Sequence, residues 1–315
     1  MLRGAKGMAY QGLQVIDFHV HFPGGIPGGG GGRRAERHPA LVAYDRERAE
    51  RMRKEWDTPL PEPAGTREEA GDRWAGEVDR YGLSRVLFVT GGGNDALAET
   101  VARHPGKFFG LAHNRPEDPD SAEQLRHGIE DLGLKGYKLL APTIGRPLDD
   151  PHFRPLWQLL ADRKLPVLIH FGVLGHAGGT VYHPLMSPLT LAPVAREFLD
   201  IPFVIPHFGC GYTQDLLQLC WALPNIHVDT SGSNQWMRWM PYPLTLDDLF
   251  RKFYEMIGPD RIIFGTDSSW FPRGFSVRYL QDQLRACRYL NFPETDVAKI
   301  FGGNAARLLH LDPQA

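Results

Sequence analysis

The sequence predicts an α/β fold, a distorted (β/α)8 or TIM barrel with a lid-like insertion after its first strand. Three observations predict it. Eight short apolar runs, rich in Val, Ile and Phe, recur along the chain and are bounded by Gly, Pro or Asp. Between them lie segments with helical apolar spacing, such as SAEQLRHGIEDLG and FRPLWQLLADRKL; such alternation is the pattern of a parallel sheet covered by helices. The length, 315 residues, suits one closed barrel of roughly 250 residues plus an insertion. A doubly wound open sheet would announce itself with a glycine-rich nucleotide turn, and neither G-x-G-x-x-G nor G-x-x-x-x-G-K-[ST] follows a strand here.

The first run is LQVIDFHV (13–20). Residues 22–80 then break the rhythm with FPGGIPGGGGGRR, a charged helical stretch (41–56) and the Pro-rich TPLPEPAG (58–65). An insertion of this kind sits poorly in a barrel wall and well over one end. Its unbroken glycines, Gly28 to Gly32, read either as a plain connector or as the hinge of a flap that closes on substrate. The runs resume with RVLFVT (85–90), FFGLAHN (108–114) and GYKLLA (136–141), the last followed by a loop, TIGRPLDDPH, placed to line the mouth. PVLIHFG (166–172), PFVIPHFG (202–209), NIHVDTSG (225–232) and RIIFGTD (261–267) complete the eight. No internal repeat is evident, and the chain, 1–315, reads as a single barrel domain.

Charge and cysteine usage narrow the class. Lys plus Arg total 35 and Asp plus Glu 37, a net charge of −2 that leaves no electrostatic footprint for nucleic acid or an anionic membrane. Cys210, Cys220 and Cys287 are an odd set without C-x-x-C, which argues against a disulfide framework and for a reducing compartment. The start, MLRGAKGMAYQGLQ, lacks the apolar core of a signal peptide, and no stretch approaches ~18 uncharged apolar residues. The expected location is the cytoplasm.

The chemistry gathers at strand ends. In Asp17-Phe18-His19-Val20-His21, alternation along a strand projects His19 and His21 to one side, a spacing that suits one divalent cation. His170 ends the fifth run, His207 the sixth and Asp267 the eighth. A closed parallel barrel gathers all those ends on one face, where such folds keep their reactive groups. Four histidines and a carboxylate buried together without a partner would cost several kcal/mol, a cost that a metal removes. Trp270 and Arg273, in SSWFPRGF beyond Asp267, pair an aromatic face with a guanidinium and suit a planar carboxylate. Lys138, in KGYKLL, shares a strand face with Leu140, and periodicity alone leaves open whether that face is the barrel interior. His113, His176 and His183 stand at the mouth as a helper of the site or as polar surface, and Cys210 reads as a small buried thiol. SNQWMRWMPYP (233–243) is apolar enough to wall the pocket or to make a subunit contact.

These motifs carry a resemblance. The H-x-H after the first strand, single histidines ending the fifth and sixth and an aspartate ending the eighth resemble the amidohydrolase superfamily. FGTDSS after FYEMIGPDR and the closing Gly302-Gly303-Asn304-Ala305-Ala306-Arg307-Leu308 look like the same group. The branch most resembled is the amidohydrolase-related family that includes aminocarboxymuconate-semialdehyde decarboxylase, other non-oxidative aromatic-acid decarboxylases and dicarboxylate lactonases. The resemblance implies one divalent ion, zinc first and manganese second, held by His19, His21, His170 and Asp267. It implies that His207 polarises substrate or moves a proton. Lys138 matches the lysine that is carboxylated and bridges two ions in two-metal members; here binding of a substrate anion or an ion pair is the expected role, beside Trp270 and Arg273. The implied partners are a small carboxylate-bearing substrate and a second copy of the chain.

Two reactions fit this site. In the first, a metal-activated water hydrolyses a carboxylated amide or lactone, with Asp267 taking the proton and His207 stabilising the developing oxyanion. In the second, the same site releases carbon dioxide from an aromatic or muconate-type acid. Many decarboxylases of the family have E-x-H where this chain has His19-Val20-His21, and on that difference hydrolysis is the expected reaction.

Overall fold

The computed structural model describes residues 12–26, 38–56, 59–63, 65–174 and 182–311. Its strands are β1 (Ile16–His21), β2 (Arg85–Thr90), β3 (Phe108–Gly110), β4 (Tyr137–Leu140), β5 (Val167–His170), β6 (Phe203–Ile205), β7 (Ile226–Asp229) and β8 (Ile262–Ile263). They form two all-parallel arcs, β1-β2-β3 and β4-β5-β6-β7-β8. Backbone bonds close both gaps: Lys138 N–H donates to Ala112 O at 2.8 Å between β3 and β4, and Phe18 N–H to Phe264 O at 3.1 Å between β1 and β8. The result is the distorted (β/α)8 barrel.

Each strand coincides with a predicted run, β1 passing the end of its run by one residue, and most are shorter than the run. β6 stops at Ile205 because Pro206 has no N–H to continue the ladder. Just past β6 and β8 lie His207 and Asp267, two of the candidate site residues.

Ile16, Phe18, Leu87, Leu168, Val204 and Ile263 pack into one buried cluster. Side chains from five strands meet this way only inside a closed barrel. Lys138 lies opposite Leu168 in the β4-β5 register, so it faces the interior, whereas Tyr137 and Leu139 join the outer layer beneath the helices. At the far end Ala305 and Leu308 close the interior. The GGN turn makes this closure possible. A side chain at Gly302 would lie 2.1 Å from Gln14 O, and Asn304 Nδ2 donates to Pro259 O and Ile262 O at 2.7 and 2.8 Å.

The 22–80 segment contains two helices, α1 (Pro39–Trp56) and α2 (Arg67–Tyr81). Thr66 and Glu69 form a capping box at the start of α2, and Gly82 ends it in the left-handed conformation. α2 buries Trp74, Ala75 and Val78, with Trp74 edge-on to Phe88 at 5.8 Å. It is therefore the ordinary crossover helix between β1 and β2, and only 22–66 exceeds a barrel unit. The glycine run lies outside the described residues. Among the described residues no helix is long and apolar enough to cross a membrane.

Candidate metal centre

A break in the β1-β2 register between Asp17 and Val20 resets the alternation of β1. Phe18 fills the barrel interior, Val20 packs into the outer layer, and the rings of His19 and His21 lie 5.2 Å apart. Each ring is anchored through Nδ1: His19 lies 2.6 Å from Asp229 Oδ2, and His21 lies 2.8 Å from Thr90 Oγ1. Their Nε2 atoms converge on Asp267 Oδ1, at 3.7 Å from His19 and 3.2 Å from His21. The ligand atoms of all three lie within 4.8 Å of one another.

His19 Nε2 is buried and has no hydrogen-bond partner. An orphaned buried nitrogen is costly unless something accepts its lone pair, so the residues fit a bound divalent ion. Burial, reinforced by the Lys138 charge, holds the His19 imidazole well below its ordinary value and so in its neutral, ligating form. Burial alone would raise Asp267, but the hydrogen bond from His21 and the surrounding imidazoles outweigh it and keep the carboxyl well below the usual range.

His207 comes in from the end of β6. Its ring lies between those of His19 and His170, 5.1 and 5.2 Å away. His170, the last residue of β5, stands outside the compact trio. Its Nε2 lies 3.2 Å from Val173 O, and because a carbonyl only accepts, that nitrogen carries the hydrogen and Nδ1 keeps the free lone pair. Burial pushes His170, too, well below its ordinary value.

Lys138 is 1% exposed and faces into the barrel, where burial pulls its ammonium down to about 8 against the opposing pull of Asp267 and Asp229. Arg273 and Trp270 stack on each other, with the guanidinium 4.9 Å from the ring. Arg273 Nη1 donates to Asp267 O at 3.3 Å. Arg273 lines a cavity of about 560 Å³ together with Gly232, Asn234 and Gln235, while Trp270 borders a separate one of about 890 Å³ beside α2.

Other candidates resolve differently. His113 is engaged by backbone on both sides: its Nε2 accepts from Gly91 and Gly93 N–H at 3.1 Å, and its Nδ1 lies 3.0 Å from Leu111 O. It braces the loop after β2. His183 Nδ1 accepts from Leu185 N–H in a turn, and His176 lies outside the described residues. Cys210 is a buried thiol donating to Val173 O, and burial pushes it up to about 12. In 233–243, Trp236 is buried but Trp239 and Tyr242 are exposed.

Sequence reasoning passed over Asp229, which ends β7 as Asp267 follows β8 and carries the same signal. It also passed over Asp17 beyond its place in the motif. Asp17 accepts from the His19 and Thr266 N–H groups at 3.1 and 3.0 Å and from the Thr266 hydroxyl, which stitches β1 to the β8 loop. Burial raises its carboxyl to about 7.

A family profile described as Amidohydrolase matches residues 16–311. Among curated proteins, a gamma-resorcylate decarboxylase of Rhodococcus jostii (strain RHA1) is 33% identical over 275 residues, covering 72% of this chain and 78% of that protein. The 2-amino-3-carboxymuconate-6-semialdehyde decarboxylase of Dictyostelium discoideum is 25% identical over 267 residues, covering 76% and 70%. Among solved structures, a 5-carboxyvanillate decarboxylase from Novosphingobium aromaticivorans complexed with manganese superposes with a TM-score of 0.59 at 18% identity, covering 99% of this chain and 100% of that one.

These relatives correct the expectation of hydrolysis, because both curated proteins are decarboxylases. The physical reason is that the first residue of H-x-H bears on how an ion is held, whereas the reaction depends on what else meets the substrate. A missing Glu was therefore weak evidence for water attack.

Proposed function

Since the chain belongs to the amidohydrolase family, we propose that it is a metal-dependent non-oxidative decarboxylase of a small aromatic or muconate-type acid. The observation that carries this reading is the 33% identity, over most of both chains, to a decarboxylase. The geometry around His207 supports it.

In this reading His19 and His21 hold the ion through Nε2, Asp267 through its carboxylate and His170 through Nδ1. Two or three imidazoles with one carboxylate suit zinc or manganese, and manganese accompanies the related 5-carboxyvanillate enzyme. An ion held there would supply positive charge that stabilises anionic oxygens of the substrate.

The protein's own groups do the rest. The buried Lys138 ammonium and the Arg273 guanidinium bind and orient an anionic substrate, with Trp270 backing the guanidinium. His207 has Nδ1 turned to Ser231 O at 3.1 Å, so Nε2 is the atom that exchanges protons. Once Nε2 has taken up a proton from solvent, the bond from the substrate carbon to the carboxylate breaks, the electron pair stays on the carbon, and the Nε2 proton forms the new C–H bond, which leaves the ring neutral with its hydrogen on Nδ1. Carbon dioxide leaves, and a proton has replaced a carboxylate without oxidation. The segment ahead of α2 folds over the same end of the barrel, since Glu62 N–H donates to Phe271 O at 2.8 Å and Pro59 shares the Arg273 cavity. This placement supports its role as a cover on a single domain.

The test is carbon dioxide release from a panel of hydroxybenzoates and carboxyvanillates by manganese- or zinc-loaded protein. One carbon dioxide per substrate consumed is expected. Turnover without carbon dioxide, or no turnover across the panel by fully loaded protein, would overturn the reading.

A further inference from the structure

Two buried residues outside the proposed ligand and substrate sets tie His19 to His207. Asp229 Oδ1 accepts the Ser231 N–H at 2.6 Å, and its Oδ2 lies 2.6 Å from His19 Nδ1. Ser231 Oγ lies 3.1 Å from His19 Nδ1 and 3.0 Å from His207 Nδ1. Asp229, Ser231 and His19 are all fully buried. The space is closed on a further side: a Cβ at Gly265 would lie 2.9 Å from Asp229 Oδ1, from His19 Cβ and from Ser231 Cβ.

The acceptors fix the hydrogens. A carboxylate only accepts, so His19 Nδ1 carries the hydrogen and Nε2 is left with the bare lone pair, the atom found buried without a partner. The Ser231 carbonyl does the same for His207 Nδ1. One short stretch after β7 thus sets the tautomers of both histidines.

We infer that Asp229 is a positioning residue of the metal centre, locking His19 with Nε2 toward the ion and, through its bond to the Ser231 N–H, holding the backbone that orients His207. Carboxylates placed behind a ligating imidazole commonly contribute 10–100-fold in metal affinity. The inference rests on the reading of His19 as a ligand.

The experiment uses the full chain as Asp229→Asn and Ser231→Ala, with zinc and manganese affinities from competition with a chromophoric chelator. The histidine tautomers of the metal-free parent are read by nitrogen-15 NMR. Asp229→Asn should lose about 10–100-fold in affinity at unchanged far-ultraviolet circular dichroism. Ser231→Ala, which keeps the N–H and the carbonyl, should stay within about threefold of the parent. A parent with His19 protonated on Nδ1 supports the inference even where Asp229→Asn fails to fold. A parent with His19 protonated on Nε2, or a folded Asp229→Asn that binds as tightly as the parent, overturns it. Failure of the parent to bind either ion would instead sink the ligand reading, while the tautomer measurement would still decide the role of Asp229.

Discussion

His207 and Asp267 share one backbone feature: φ is +57° in both, a positive value uncommon outside glycine, although His and Asp tolerate it better than most residues. Each follows a barrel strand, and the side chains of both reach the ring of His19. Strain of this kind costs on the order of 1–3 kcal/mol per residue and persists where the surroundings over-determine it. Here Pro206 precedes one residue, and the Asp267 N–H is held by His19 O at 2.8 Å in the other.

The same conformation at a site without a role should be open to relief. Lys164 has φ +51° at the exposed end of the helix Arg154–Arg163. Lys164→Gly should stabilise the protein by about 0.5–1 kcal/mol, since glycine meets no penalty there and the ion pair lost to Asp200 is solvent-exposed. Thermal denaturation of the two proteins under identical conditions measures it; a lower midpoint for the variant would refute the argument.

Removing a ligand should remove the ion. Metal content of the parent is expected near one ion per chain, and Asp267→Asn should fall to a small fraction of that. An ion that binds only the folded state stabilises it by about 2.7 kcal/mol at a hundredfold excess over its dissociation constant. The parent should therefore melt higher with added zinc or manganese, and Asp267→Asn should not respond. Equal metal content in the two proteins would count against the assigned site.

His207→Gln should keep the metal and lose turnover. A positioned proton-transfer group is worth about 10²–10⁴-fold, so kcat should fall by that factor with KM little changed. Steady-state kinetics alongside elemental analysis separate the cases, because a variant that has lost its ion would implicate His207 as a ligand.

Acid should weaken the fold partly through His227 on β7. Burial, aided by the charges of Arg307 and Arg261, pulls this imidazole down to about 3. Below about 6.5 the unfolded chain takes up a proton that the native chain refuses, so this contribution is intact above that pH and is lost as pH falls toward 3. The slope approaches about 1.4 kcal/mol per pH unit. His227→Gln should flatten the dependence of unfolding free energy on pH across this window. An unchanged slope from denaturant titrations at several pH values would show that His227 titrates freely in the native state.

Much of this was legible in the sequence, for identifiable reasons. Apolar runs mark barrel strands because both faces of such strands are buried, and β2 begins and ends where its run does. H-x-H is readable because imidazoles two residues apart on an extended chain stay close, here 5.2 Å between rings, even where a register break resets the alternation. The interior position of Lys138 was not readable, since it depends on pairing with β5. Asp229 ends its run as Asp267 does, but its partner was not readable, because only the closed barrel puts its carboxylate behind His19. His113 looked free because backbone donors such as those of Gly91 and Gly93 leave no mark in a sequence. α2 seemed part of an insertion because the extra segment before it displaced the rhythm of the barrel units.

The first strand closes the barrel against the last, with His19 O accepting the Asp267 N–H and His21 N–H donating to Ser268 O. Two of the three clustered side chains therefore come from the first strand and the third from just beyond the last, so the cluster exists only once the ring has closed. On the proposed ligand reading, tight capture of an ion would wait until β8 docks on β1. If the three side chains hold an ion as proposed, its retention against a chelator would report that the ring has closed.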